Sequence, residues 1–217
     1  MMSKLRIRNV RLSSKDNRSY RERCAYHATI RRIESGEREA DARRHVTAWA
    51  EQMACRMIRQ QYEQDSRNII SWEELNVYGH YASKHKETDG VFKLDQGSML
   101  LEVKASLSRA CIKKGRQQLD ANLSLLDQTR DRFSGMLVLF DCSQLNPELA
   151  APAQGAIENL KNSGEYGIVQ GIDWAVDPGQ FSKWLWLVDA QGVEQLISRY
   201  GPPAESDADS TSEGSWL

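Results

Sequence analysis

The segments Thr88-Asp89-Gly90-Val91 and Leu100-Leu101-Glu102-Val103-Lys104-Ala105-Ser106 decide how this chain is read. Residues 89–94 and 98–105 have the apolar content and length of two strands, and Asp95-Gln96-Gly97 between them has the composition of a turn. A hairpin is expected. Along its second strand side chains alternate between faces, so Glu102 and Lys104 share one face while Leu101, Val103 and Ala105 share the other. If the turn centres near Gln96, opposing residues have numbers summing to about 192 or 193, which sets Asp89 across from Val103 or Lys104. A slip of one residue would turn Asp89 to the other face.

Two converging carboxylates are a usual protein contribution to a Mg2+ site, because this hard ion takes oxygen ligands and keeps waters that exchange with substrate phosphates. An adjacent lysine can orient an attacking water and stabilise charge on a phosphoryl oxygen. Phosphodiester hydrolysis uses both. The alternative is a polar strand face on which Glu102 and Lys104 make an ordinary surface pair. An isolated Glu-x-Lys does not separate the two, since so short a match is common by chance.

Outward from the hairpin, residues 39–64 carry Val46, Trp49, Ala50, Met53, Met57 and Ile58 at three- and four-residue steps, one apolar stripe of a helix. Residues 69–72 and 76–81 read as weak strands. Residues 110–132 read as a second helix, with Gly115 weakening its first turns, and the apolar run 135–141 as a strand buried on both faces. A short helix is expected over 153–162, and strands over 167–176 and 183–197. Trp174, Trp184 and Trp186 there suit a core or an oligomer surface. A basic helical stretch over 18–33 ends at Ser35-Gly36, and residues 201–217 are acidic and serine-rich, which predicts disorder.

The 217 residues suffice for one core with extensions, and the net charge of −1 is unevenly spread. Residues 1–50 hold 13 Lys/Arg against 6 Asp/Glu, and residues 151–217 hold 3 against 10. The basic head, with Arg6, Arg8, Arg11, Arg18, Arg21 and Arg23, suits either phosphate contacts or a solvated helix. Cys24, Cys55, Cys111 and Cys142 form no CxxC pair, and Cys24/His27 with His80/His85 do not have the paired spacing of a zinc site. With no apolar run of signal or membrane length, the expectation is a cytoplasmic protein with reduced thiols and no membrane partner.

The quoted segments resemble the PD-(D/E)xK nucleases, the superfamily of restriction endonucleases, RecB-like exonucleases and Holliday-junction resolvases, with Thr88 in place of the nominal proline. Upstream, Ala50-Glu51-Gln52-Met53-Ala54 resembles the A-E-x-x-A pattern on the first helix of resolvase-like members. The resemblance covers residues 45–141. It implies an α/β fold with a restriction-endonuclease-like core of α-β-β-β-α-β order, its mixed sheet flanked by helices. The division that follows is a basic N-terminal helical arm (1–38), a nuclease core (39–145), a C-terminal α+β extension (146–200) and an acidic tail (201–217).

It further implies catalysis by Glu51, Asp89, Glu102 and Lys104, and Mg2+ or Mn2+ held by Asp89, Glu102, Glu51 and the main-chain carbonyl of Val103. Gln118 falls where RecB-like members carry Gln-x-x-x-Tyr, although Asn122 replaces the tyrosine. Gln118 with Lys113, Lys114 and Arg116 is the expected nucleic-acid contact, solvated charge being the alternative for the three cations. The implied function is a metal-dependent DNA endonuclease of phage defence, recombination or a mobile element, with nucleic acid as partner. The alternative is a non-catalytic binding or assembly subunit that keeps the fold. A homodimer is compatible with either, and Trp216-Leu217 behind Glu205, Asp207, Asp209 and Glu213 could hook a protein partner.

Overall fold

A computed structural model of the chain describes residues 7–24, 42–145, 153–172 and 181–203. The expected strand at 173–176, Trp174, the helical stretch and break at 25–36 and the acidic tail from 204 lie outside them.

The apolar stripe on the first long segment folds as helix α1 (Ala42–Ile58), with Val46, Trp49, Ala50, Met53, Ala54, Met57 and Ile58 all buried. Each large side chain so placed is worth roughly 1.5–3 kcal/mol, more than any helix propensity along the segment supplies. Packing therefore decides the helix. It rests on a five-stranded sheet in the order β4-β5-β6-β8-β7, with β4 (Gly90–Leu94), β5 (Gly97–Lys104), β6 (Phe133–Phe140), β7 (Gly167–Gln170) and β8 (Lys183–Val188). Only the β4/β5 pair is antiparallel; the rest of the sheet is parallel. Residues Met136 to Phe140 of β6 are wholly buried, as its unbroken apolar run predicts.

Odd-numbered β5 residues (Met99, Leu101, Val103) join α1 in one core, together with Val193 and Leu196 of α4 (Ala190–Tyr200). Even-numbered Leu100 faces a second core with Ile112, Leu119 and Leu126 of α2 (Arg109–Leu126) and Ile157 and Leu160 of α3 (Gln154–Lys161). A separate antiparallel sheet, β1 (Ile7–Ser13), β2 (Ile69–Leu75) and β3 (Tyr81–Glu87), adds Ile70, Val10 and Leu12 to this side. The result is a mixed α/β protein whose mixed sheet lies between helical layers.

Five expectations change. The helix expected over 39–64 ends at Ile58. Residues 76–80 form the turn of the β2/β3 hairpin and Tyr81 opens β3, with Asn76 Oδ1 accepting from the Tyr78 and His80 amides, each at 3.0 Å. The basic head is not simply a helical arm: residues 7–13 pair with β2, and residues 18–24 are helical. Its alternation was hidden by a bulge between Arg8 and Arg11, at which Asn9 takes φ 56°. The segment 183–197 is a strand followed by α4, because Asp189 caps the helix by accepting from Gly192 N at 2.8 Å and Val193 and Leu196 repeat at helical spacing. Helix α2 stops at Leu126, where Thr129 N–H and Oγ1–H both donate to the Leu126 carbonyl. Trp184 and Trp186 are buried core residues, not an oligomer surface.

The β4/β5 register is the detail that reaches the site. Gly97 lies inside the strand, opposite Leu94, so the turn has two residues and paired positions sum to 191. Gly97 has φ 118°, and a Cβ there would stand 2.3 Å from the Arg132 carbonyl oxygen. Gly97→Ala is therefore expected to cost about 2–3 kcal/mol, by strain at φ > 0 together with the clash. Gly155→Ala, in helix α3 with open space around it, should gain up to about 1 kcal/mol. Urea midpoints of the two variants check the contrast.

Candidate active site

Continuing the observed register by one residue from Gly90 and Leu101 sets Asp89 beside Glu102. The expected partner, Val103 or Lys104, is thus corrected by one or two positions, in the direction that brings the carboxylates together. Strand β4 begins only at Gly90, so no β4 residue pairs with Val103. The Asp89 side chain takes that place, its Oδ2 accepting from Val103 N–H at 2.6 Å. Its Oδ1 has no hydrogen bond among the described residues.

Glu102 is only 3% exposed, which removes the surface-pair reading. Its Oε1 accepts from Lys104 Nζ at 2.5 Å, and the same ammonium donates to the Val103 carbonyl at 3.0 Å. A buried carboxylate needs such a partner, since an unpaired one would carry a large desolvation cost. Lys104 thereby sits against two of the oxygens that the nuclease resemblance implies for a metal. Its stem lies against Gly115 of α2, where an added Cβ would come 3.0 Å from Lys104 Cγ and 2.8 Å from Leu137 Cδ1. The glycine read as a helix weakness makes room for the lysine.

Glu51 approaches from α1, on the face opposite to Glu102 and Lys104, and the two sets meet at the β4 edge where Asp89 sits. Burial pushes the Glu51 carboxyl up to about 7, with the Asp89 charge adding and Lys104 opposing. Asp89 is raised by burial against the Val103 amide and Lys104, and Glu102 by burial and the Asp89 charge against Lys104. The carboxylates therefore feel one another through a poorly solvated edge that holds too little positive charge for them.

Two neighbours were missed. Lys86 of β3 donates to the Gln118 carbonyl at 3.5 Å, and burial lowers its pKa while Glu102 acts to raise it. Glu87 binds Lys15 and accepts from Tyr20 Oη at 3.1 Å, and its charge reaches Glu51 and Asp89. Both lie within three residues of Asp89, which was the available signal.

The expected nucleic-acid contacts separate. Lys113 and Lys114 are exposed on the first turns of α2. Arg116 is engaged, its Nη2 at 2.8 Å from both Glu165 oxygens. Gln118 is half-buried, and its Oε1, like Oδ1 of the buried Asn122, has no partner among the described residues.

Among the described residues no three His, Cys, Asp or Glu side chains gather as a ready-made metal cluster. The donor chemistry nevertheless fits a hard divalent ion, which one or two carboxylates, a carbonyl, waters and substrate phosphate can satisfy. Among them too, no helix is long and apolar enough to cross a membrane, and the four cysteines are free thiols. Comparison of the chain with protein-family models, curated proteins and solved structures returns no match.

Gly115→Ala should push on the Lys104 stem, so a double-mutant cycle with Lys104→Ala is expected to show coupling above about 0.5 kcal/mol. Additive urea stabilities would show that the glycine does not seat the lysine.

Proposed function

We propose that this chain is a divalent-metal-dependent nuclease of the PD-(D/E)xK type, acting on phosphodiester bonds and on DNA in the first instance. The observation that carries the reading is a 3%-exposed Glu102 tied along its strand to Lys104 and aligned across the hairpin with Asp89. A restriction-endonuclease-like core belongs to the same proposal. Its support is the order α1, β4/β5 antiparallel hairpin, α2 and parallel β6, although four strands and not the expected three separate the helices, and the first two, β2 and β3, pair with β1 in the second sheet.

Asp89, Glu102 and the Val103 carbonyl would hold Mg2+ or Mn2+, and Glu51 would add a fourth oxygen donor from α1. The bound ion would supply charge neutralisation at the phosphoryl oxygens and a more acidic water. The chain's own groups do the rest. The Val103 amide fixes the rotamer of Asp89. Lys104 holds a proton at Nζ beside Glu102, where an ammonium can orient a water and stabilise charge on a phosphoryl oxygen. Leu101, Val103 and Phe92 pack beneath the site and keep the hairpin rigid.

A non-catalytic binding subunit is the second reading, favoured by Lys104 already contacting Glu102 and Val103 O. The two readings part on one screen. The nuclease should cut single-stranded, double-stranded or branched DNA with Mg2+ but not with EDTA, and Asp89→Ala and Lys104→Ala should each lower the rate by about 10²-fold or more while leaving the circular dichroism spectrum native. Cleavage that survives both substitutions would rule out this site. Salt-sensitive DNA binding with no cleavage on any substrate would favour the binding subunit.

A further inference from the structure

Beside Glu51 and Asp89 the surface opens into a cleft of about 600 Å³, and its other charged lining residues are Lys15, Arg56 and Arg59. This is the α1 side of the sheet, away from the start of α2 where sequence reading placed the nucleic-acid contacts. We infer that this cleft carries the phosphate backbone of the substrate strand away from the reacting bond, with Arg56 and Arg59 as its phosphate-binding residues. The inference rests on the nuclease reading of the site.

Glu51, Cys55 and Arg59 recur every four residues and Arg56 follows Cys55, so the last turns of α1 and the residue just past its end line the cleft. The arginines do not serve the carboxylates. Among the described residues neither forms an ion pair: Arg59 donates to Gln64 Oε1, and the Arg56 guanidinium lies 4.0 Å over the Tyr200 ring. Both are exposed, and no carboxylate among the described residues pairs with either. A ring beneath one guanidinium and an amide beside the other hold the two forks in place without cancelling their charge. That is a suitable arrangement for phosphate oxygens. Lys15 differs, since Glu87 already binds it.

The helix also sets a scale. At 1.5 Å per residue, Arg56 stands about 7.5 Å along α1 from Glu51, and Arg59, one residue past the helix end with its amide still donating to the Cys55 carbonyl, about 12 Å. At about 3.4 Å of axial rise per nucleotide, they reach phosphates roughly two to four nucleotides from the bond that Glu51 faces. Arg116, by contrast, is held by Glu165, and Lys113 and Lys114 project from the other side of the sheet.

The experiment measures binding, not cleavage. Affinity of the full chain for a fluorescein-labelled duplex DNA is followed by anisotropy in EDTA at several salt concentrations. For Arg56→Gln/Arg59→Gln the slope of log Kobs against log[salt] should become shallower by about 1.8, the value for two lost phosphate contacts. Arg56→Lys/Arg59→Lys should restore most of it, since lysine also neutralises phosphate, and Lys113→Gln/Lys114→Gln should leave it unchanged. An unchanged slope in the glutamine variant of the cleft, or a loss confined to the Lys113/Lys114 variant, overturns the inference while leaving the nuclease reading intact. A shallower slope in a chain that cuts no substrate upholds the cleft and removes the nuclease.

Discussion

The hydrogen bond from Val103 N–H to Asp89 Oδ2, at 2.6 Å, is the interaction on which the candidate site depends. It exists because β4 starts at Gly90 and leaves Val103 without a strand partner on that edge. An unpaired buried amide is costly, so the carboxylate that fills the gap is held tightly, and its location is set by the main chain of the strand carrying Glu102 and Lys104. The same strand end thus places all three residues. The two-residue turn at Asp95-Gln96, made possible by Gly97 at φ 118°, fixes which residue meets which.

From that edge the two faces of the sheet contribute different things. The α2 face supplies Glu102 and Lys104, with Gly115 leaving space for the lysine stem. The α1 face supplies Glu51 and, at the end of that helix and just past it, Arg56 and Arg59 of the cleft. Burial raises Glu51, Asp89 and Glu102 together, which is the electrostatic condition of a place that favours an added cation. Chemistry and substrate path would then meet at Asp89, the residue shared by the hairpin and the cleft.

Much of this was legible in residue pattern. The stripe from Val46 to Ile58 and the apolar run at 135–141 fold as read, and the hairpin around Gln96 forms with a turn one residue shorter than expected. Asp89, Glu102 and Lys104 were legible because strand alternation and turn position are local rules. Strand β1 was not, since a bulge at Asn9 breaks its alternation, and α4 was not, since Gly192 and the preceding strand mask its start at Asp189. The register missed by one or two because Gly97 was counted in the turn. Arg56 and Arg59 carried no motif of their own, and only the three-dimensional position of Glu51 places them on a cleft wall. Lys86 and Glu87 were signalled only by lying within three residues of Asp89, since the β2/β3 pairing that orients them has no periodic signature of its own.

The central claim is that Asp89 and Glu102 together form a divalent-cation site at the strand edge. Calorimetric titration of Mn2+ into the full chain tests it most directly. The account predicts saturable binding that is lost in Asp89→Asn and in Glu102→Gln, with both variants retaining cooperative thermal unfolding. Binding of equal strength in the native chain and in both variants would contradict it.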